Sequence, residues 1–281
     1  IRDRVIGAGV GVLLNILASL FDKDQTVSFP DKSFEQGIGI FNDAGFEVHT
    51  RDKNADIIYV SPSHMTRWGD VMSNKRRLEL VEYSFNNNST VIEDDYENDF
   101  MYNVKPTPAL FTLGHENVIY IGSFSAMLLP GIRISFMVLN NKLTKLYNQN
   151  KYKFAQTASK TEQIALCQYI RDGHINSQTR KIRRLYSNKT KDFYSILKKE
   201  FPNAQINISE NTLQIIMSVK FDKDIEVFEK NSISLFVEKY EKGLITIVLS
   251  PSGIPSSKLL EGAKTPVSYT HLRAHETKAN L

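Results

Sequence analysis

Apolar residues in the first half of the chain come in short, nearly unbroken runs, separated by stretches with helical spacing. "GAGVGVLLNILASLF" (7–21) reads as a glycine-rich turn opening into an apolar helix, and "TVSFP" (26–30) as a short strand. "EQGIGIFNDAG" (35–45) reads as a helix closed by Gly45, a residue suited to a C-terminal cap. "FEVHT" (46–50) and "DIIYVSP" (56–62) are expected strands, and "SNKRRLELVEYSFNN" (73–87) is an expected helix with Leu78, Leu80, Val81 and Phe85 as its apolar positions. "STVIEDDY" (89–96), "NVIYIGSF" (117–124) and "RISFMVLN" (133–140) complete the strand set. Strands that are apolar throughout, alternating with helices, belong to an α/β sheet covered on both faces. From about residue 141 the pattern changes to long helices, then to strand-like "NTLQIIMSVKF" (211–221), "ISLFVEKY" (233–240) and "LITIVLS" (244–250), and a last helix in "SSKLLEGA". The expected plan is a large α/β domain over 1–145, connecting helices over 146–175, and a smaller α+β domain over 176–264.

Composition narrows this plan without redirecting it. The chain has 281 residues, 41% hydrophobic and 23% charged, ordinary values for a globular protein. A net charge of +4 is too small to imply nucleic acid by itself. The densest basic stretch, 180–199, reads as a solvated helix face with Ile182, Leu185, Phe193 and Leu197 as its buried stripe. No apolar run reaches the roughly 18 residues that span a bilayer, so no membrane association is expected. The one cysteine, Cys167, cannot form an internal disulfide, and a reducing, cytoplasmic setting is expected. It lies in "EQIALCQYI", where a buried structural thiol is expected rather than a nucleophile. The chain opens at Ile1 without Met and is expected to be part of a longer protein. Its last stretch, "TPVSYTHLRAHETKANL" (265–281), has no clear period and is expected to be a non-native tail. His271 and His275 there have a metal-ligand spacing on a helix, but the stretch is set aside and no metal site is expected.

Candidate chemistry collects at the carboxyl ends of the expected strands, where open α/β sheets bind ligands. "GAGVG" (7–11) offers backbone amides and a helix N-terminus to a phosphate, although a plain tight turn has the same appearance. In "IEDDY", Asp94 and Tyr96 share one face of an extended segment, and Glu93 and Asp95 share the other. A carboxylate at such a strand end can pair with a protonated ring nitrogen, and a phenol beside it can bond a ring hydroxyl; a solvated acidic loop is the other reading. In "GSFSAMLLPGIR", Ser123 and Ser125 share a face, and with the fork of Arg133 they suit a phosphate. His64, just past a strand, lies near the same rim or is an ordinary surface histidine. An acid for a ring nitrogen, hydroxyls and an arginine for a phosphate, and an aromatic to stack together describe pyridoxal 5′-phosphate.

The same stretches carry a family resemblance. "STVIEDDYENDFMYNVKPTPAL" followed by "NVIYIGSFSAMLLPGIRISFMVL", with "YVSPSHMTRWGDVMSNKRRLELVEYS", "HINSQTRKIRRLY" and "GIPSSKLLEG", resembles the aminotransferase-like domain of MocR-type regulators in the GntR family. The resemblance covers nearly all of 1–264 and implies the pyridoxal-phosphate-dependent transferase fold of type I. It implies that Asp94 faces the pyridine nitrogen and Tyr96 the ring oxygen, that Gly9, Val10, Ser123, Ser125 and Arg133 hold the phosphate, that Phe34 stacks on the ring and that His64 lines the site. It implies a homodimer, and DNA contact only through a winged-helix domain preceding Ile1. Several positions depart from the family. Lys32-Ser33 replace a Pro-Gly, Gly11 replaces a polar residue, and Met65-Thr66-Arg67-Trp68 follow His64 where the family has Gln, an aromatic and Pro. Ala126 stands where the family has the lysine whose ε-amine forms the Schiff base, and no lysine occurs in 124–139. No arginine occurs between 185 and 264, where aminotransferases often place the one that clamps a substrate carboxylate. The expectation is a domain that holds pyridoxal phosphate or an amino-acid adduct of it without a covalent tether and without turnover. The alternative is an aminotransferase whose catalytic lysine has been lost.

Overall fold

The computed structural model describes residues 4–65, 71–95, 107–114, 116–125, 127–128, 130–209, 213–221, 226, 236–241 and 243–264. Two compact units divide the described residues, one running to Thr179 and the other starting at Arg180.

The first unit follows the alternation of the sequence. Its elements are β1 (Arg4–Gly7), α1 (Val10–Leu20), β2 (Thr26–Phe29), α2 (Glu35–Asp43), β3 (Glu47–Thr50), β4 (Ile57–Val60), α3 (Asn74–Asn86), β5 (Thr90–Asp94), α4 (Leu110–Leu113), β6 (Val118–Ser123), β7 (Ser135–Val138), α5 (Asn141–Asn150), α6 (Lys160–Arg171) and the start of α7 (His174–Glu200). The seven strands lie in the order β1-β7-β6-β5-β4-β2-β3. β3, β2, β4, β5 and β6 run parallel, whereas β7 is antiparallel to both β6 and β1. Because successive strand residues face opposite ways, β5 sends Ile92 to one core and Val91 to another. The first core joins Leu13, Leu14 and Leu17 of α1 and Phe41 of α2 to Phe29, Ile57 and Ile119. The second joins Val81 of α3 and Leu110 of α4 to Val91 and Val118. The sheet is therefore covered on both faces.

Helix ends are set by local chemistry. Ser73, Asn140 and Ser159 accept bonds from the backbone N–H groups of Arg76, Leu143 and Glu162, capping α3, α5 and α6. Gly45, at φ 89°, supplies the left-handed residue just past α2 that the sequence points to. α1, α2 and α4 have no side-chain cap from their N-cap residues, Gly9, Phe34 and Ala109.

The second unit packs the later part of α7 and a short helix over 259–264 on a four-stranded antiparallel sheet. Its strands are β8 (Gln205–Ile208), β9 (Ile215–Lys220), β10 (Phe236–Glu241) and β11 (Leu244–Leu249), in the order β10-β11-β9-β8. Phe193, Leu197 and Phe201 meet Ile215, Met217, Ile245 and Ile247 in its core.

Three expectations are corrected. β1 and β8 are strands that the hydrophobic pattern does not single out, being four residues each with alternate positions exposed. Leu185 does not join the buried stripe of the basic helix. Leu185 is 57% exposed and Ile182 is only half-buried, and Thr190, Phe193 and Leu197 form the buried stripe instead. Cys167 is exposed rather than buried, because α6 buries only Leu166 and leaves Ile164 71% exposed. No helix among the described residues is long and apolar enough to cross a membrane. The stretch 265–281, with His271 and His275, lies outside the described residues.

Candidate functional site

A cavity of about 480 Å³ opens at the carboxyl ends of β2, β4, β5 and β6. Val10, Phe34, Tyr59, His64, Asp94 and Ser123 are among its lining residues, so side chains from widely separated segments meet in one place. Val10, which lines this cavity, opens α1 directly after the turn from β1. Gly9 sits at φ 101°, and a Cβ there would fall 2.4 Å from Nη2 of Arg133. The absence of a side chain at position 9 is what admits the guanidinium. Arg133 is itself in the left-handed region at φ 47°, a sparsely populated conformation for a side chain of its size. The uncapped first turn of α1, with Arg133 beside it, gathers N–H donors and positive charge at one point. The Ala8 N–H donates to Thr157 Oγ1 at 3.0 Å and pins the turn.

Ser123 ends β6 and lines the cavity; its Oγ accepts bonds from the Ser125 N–H at 3.3 Å and from the Ser135 hydroxyl at 3.1 Å. Ser125 Oγ is buried without a hydrogen-bond partner among the described residues. A buried hydroxyl without a partner is a group that a bound acceptor such as a phosphate would satisfy.

Asp94, the last residue of β5, lines the same cavity and is 6% exposed. Its Oδ2 accepts a bond from the Tyr59 hydroxyl, and its Oδ1 has no partner among the described residues. Burial pushes the Asp94 carboxyl up to about 6; the Tyr59 bond opposes that shift and the neighbouring Asp95 charge adds to it. Phe34, at the N-cap of α2, is held beside the cavity by the aromatic rings of Phe29 and Tyr59, at centroid distances of 6.4 and 5.4 Å. Gly37 leaves the room for that ring: a Cβ there would come within 2.4 Å of Phe34. His64 lines the same cavity next to Met65.

Glu93 and Asp95 face away from this cavity, as strand alternation requires, and tie the surrounding segments together. Glu93 accepts the Leu110 and Phe111 N–H groups at 2.8 and 3.0 Å and lies 3.8 Å from Nη1 of Arg77. Arg77, 2% exposed, also donates to the Met72, Pro108 and Pro62 carbonyls. Burial pushes Glu93 up to about 7 despite those donors and lowers the Arg77 pKa, with the charges of Glu93 and Asp95 working against that lowering. Asp95 accepts bonds from the Ser63 and Tyr120 hydroxyls.

Thus Val10, Phe34, His64, Asp94 and Ser123 line one cavity, Gly9 meets Arg133 at the turn before Val10, and Ser125 bonds Ser123, while Tyr96 and Ala126 lie outside the described residues. Tyr59 and Arg77 were not singled out by the sequence. Tyr59 reads there as one more apolar strand residue, and Arg77 as one cation of an exposed helix face. The chemistry of this set suits a phosphorylated, positively charged aromatic ring: hydroxyls, amides and a guanidinium for a phosphate, a carboxylate oxygen without a partner among the described residues for a ring cation, and aromatic side chains in the cavity lining.

Comparison with known proteins identifies the family and the fold. The family profile for aminotransferase class I and II matches residues 3–239. The HTH-type transcriptional regulator YdeL of Bacillus subtilis (strain 168), itself uncharacterized, is 29% identical over 92% of this chain and 61% of its own length. The probable rhizopine catabolism regulatory protein MocR of Rhizobium meliloti is 28% identical over 60% of this chain and 34% of its own. The chain thus spans less than two thirds of the length of these relatives. Among solved structures, the α-aminoadipate aminotransferase LysN of Thermus thermophilus, complexed with N-(5′-phosphopyridoxyl)-L-leucine, shares the fold with a TM-score of 0.73. That match is 19% identical and covers 94% of this chain and 75% of the other.

Proposed function

This chain belongs to the aminotransferase class I and II family, and from that premise we propose that it is the pyridoxal-phosphate-binding, aminotransferase-like effector domain of a MocR-type regulator of the GntR family. The relatives named as regulators are longer than this chain, which supports a DNA-binding module elsewhere in the whole protein. The domain works in the cytoplasm as a homodimer and contacts DNA only through that other module. An aminotransferase proper is the competing reading. The coding sequence upstream of Ile1 separates the two, since a winged helix there marks a regulator.

The observation that carries the cofactor reading is that two buried oxygens without partners among the described residues, Asp94 Oδ1 and Ser125 Oγ, belong respectively to a residue that lines the cavity and to one bonded to the cavity-lining Ser123. When bound, pyridoxal phosphate supplies an electron sink for reactions at carbons bearing an amino group. The residues of this chain bind and orient it. Arg133, Ser123, Ser125 and the first amides of α1 hold the phosphate. Asp94 keeps the ring nitrogen protonated, Tyr96 bonds the ring oxygen, and Phe34 and His64 wall the ring. Ala126 offers no amine to hold the cofactor or to move a proton at the amino-acid Cα, so retention rests on hydrogen bonds and charge alone, each contributing roughly 1–3 kcal/mol. Binding is therefore reversible and turnover absent. A ligand that prefers one of two conformations then shifts the regulator between them.

Two measurements test this. Equilibrium dialysis should show saturable, reversible binding of pyridoxal phosphate. The variant Ala126→Lys should then gain a visible absorbance band that borohydride abolishes. An Ala126→Lys protein that stays colourless in excess pyridoxal phosphate refutes the site.

A further inference from the structure

Tyr59 pairs with Ile92 across the parallel β4–β5 ladder, so a side chain leaning along the strand reaches residue 94. It is 3% exposed. Its ring stacks on Phe29 at 4.9 Å and 30° and lies against Phe34 at 5.4 Å and 31°. The three rings form one mutually packed cluster, with Phe29 and Phe34 themselves 6.4 Å apart, so the Tyr59 ring has little freedom to move, and its hydroxyl donates to Asp94 Oδ2. A carboxylate with one oxygen fixed in this way offers the other in a defined direction, and here that oxygen is the unpartnered Oδ1 of a cavity-lining residue.

We propose that Tyr59 is a positioning residue for the cofactor: by donating to Oδ2 it aims Oδ1 of Asp94 into the cavity and favours the anionic carboxylate that a protonated ring nitrogen requires. The proposal rests on the pyridoxal-phosphate reading of this cavity. Three observations show why the hydroxyl matters. Asp94 has lost its water, and burial alone drives it toward the neutral acid, which pairs poorly with a cation. Asp95, next in sequence, adds a like charge that pushes the same way. The Tyr59 bond is what opposes both. The other titratable side chains lining this cavity are Asp31 and His64, on the segments after β2 and β4. With alanine at 126 there is no covalent bond to mask a weakened charge pair, so the effect is read directly in affinity.

Tyr59→Phe keeps the ring in its cluster with Phe29 and Phe34 and removes only the hydroxyl. In the ligand-free protein, a ¹³C-detected titration of the Asp94 carboxyl should show its midpoint moving up by about one pH unit. Pyridoxal phosphate affinity at pH 7, measured by equilibrium dialysis, should fall by roughly three- to tenfold, because the carboxylate is partly protonated and no longer held in one direction. Thermal unfolding of the variant checks that the fold is kept. An unchanged Asp94 midpoint overturns the proposal, and so does a shifted midpoint with unchanged affinity. Absence of saturable binding by the wild-type chain overturns the cofactor reading itself, and the midpoint then reports separately whether Tyr59 governs Asp94.

Discussion

Gly9 and Arg133 stand far apart in the sequence, and each tolerates a backbone conformation that the other explains. Arg133 at φ 47° turns its guanidinium back toward the first turn of α1, and Gly9 at φ 101° leaves the space it occupies. Strain of this kind, on the order of 1–3 kcal/mol, persists where the surrounding structure enforces it and clusters at ligand sites. Gly9→Ala sets a methyl 2.4 Å from Nη2 and a Cβ in a region that side chains avoid, so the guanidinium has to leave. The expected outcome is a loss of more than tenfold in affinity for inorganic phosphate and for pyridoxal phosphate alike, with a modest drop in Tm. Unaltered affinity for both ligands, read by dialysis, rules out the cradle. The sequence shows the residue types of this site plainly, since serines, an arginine and a glycine turn have few other shared uses. It does not show which glycine faces which arginine, because that contact is made by the sheet order and not by spacing. Tyr59 escapes notice for a related reason: its apolar ring satisfies the strand pattern, and only the register of β4 on β5 reveals where its hydroxyl goes.

The strand ends and their loops are held by a network that the alternation of β5 sets in place. Asp94 faces the cavity; Glu93 faces α3 and α4, where Arg77 joins it to the carbonyls of Pro62, Met72 and Pro108. Removing one partner of a buried pair leaves an uncompensated charge, which costs roughly 3–5 kcal/mol. Arg77→Met is expected to destabilise by about that much at pH 8 and by clearly less at pH 5.5. The sign follows from Glu93, whose folded-state midpoint is raised to about 7 from an ordinary 4.5. A raised carboxyl lowers stability as pH climbs from the unfolded value through the folded one. Loss of the Arg77 charge raises that midpoint further, so the penalty grows above pH 7, whereas in acid the carboxyl is neutral in both proteins. Urea unfolding at the two pH values measures this, and a difference independent of pH refutes the assignment. α1 and the central strands are legible from periodicity because burial dictates them, whereas α3 buries Arg77, Val81 and Ser84 and leaves Leu78 and Phe85 exposed. β1 and β8 are not: four-residue strands with alternate positions exposed carry too little apolar signal. Cys167 and Leu185 mislead in the opposite direction, because an apolar helix position predicts burial only where the same chain supplies a covering face.

The molecule carries its chemistry and its second core in different places. Every residue lining the candidate cavity belongs to the first compact unit, whereas the core around Phe193, Leu197, Ile215 and Ile245 belongs wholly to the second. A ligand stabilises only the structure that binds it, by RT ln(1 + [L]/Kd), about 2.7 kcal/mol at a hundredfold excess over Kd. For a unit of this size each kcal/mol of such a gain raises Tm by roughly 2–4 °C. Calorimetry of the ligand-free chain should therefore resolve two transitions, and saturating pyridoxal phosphate should raise one of them while leaving the other in place. Ala126→Lys, by adding a covalent bond in the first unit, should widen that gap. α7 makes the experiment demanding, because this single helix contributes residues to both units, and a rise of both transitions together would mean that its turns melt as one cooperative block. That outcome would contradict the separation of cores and would make α7 the path by which cofactor binding reaches the second unit.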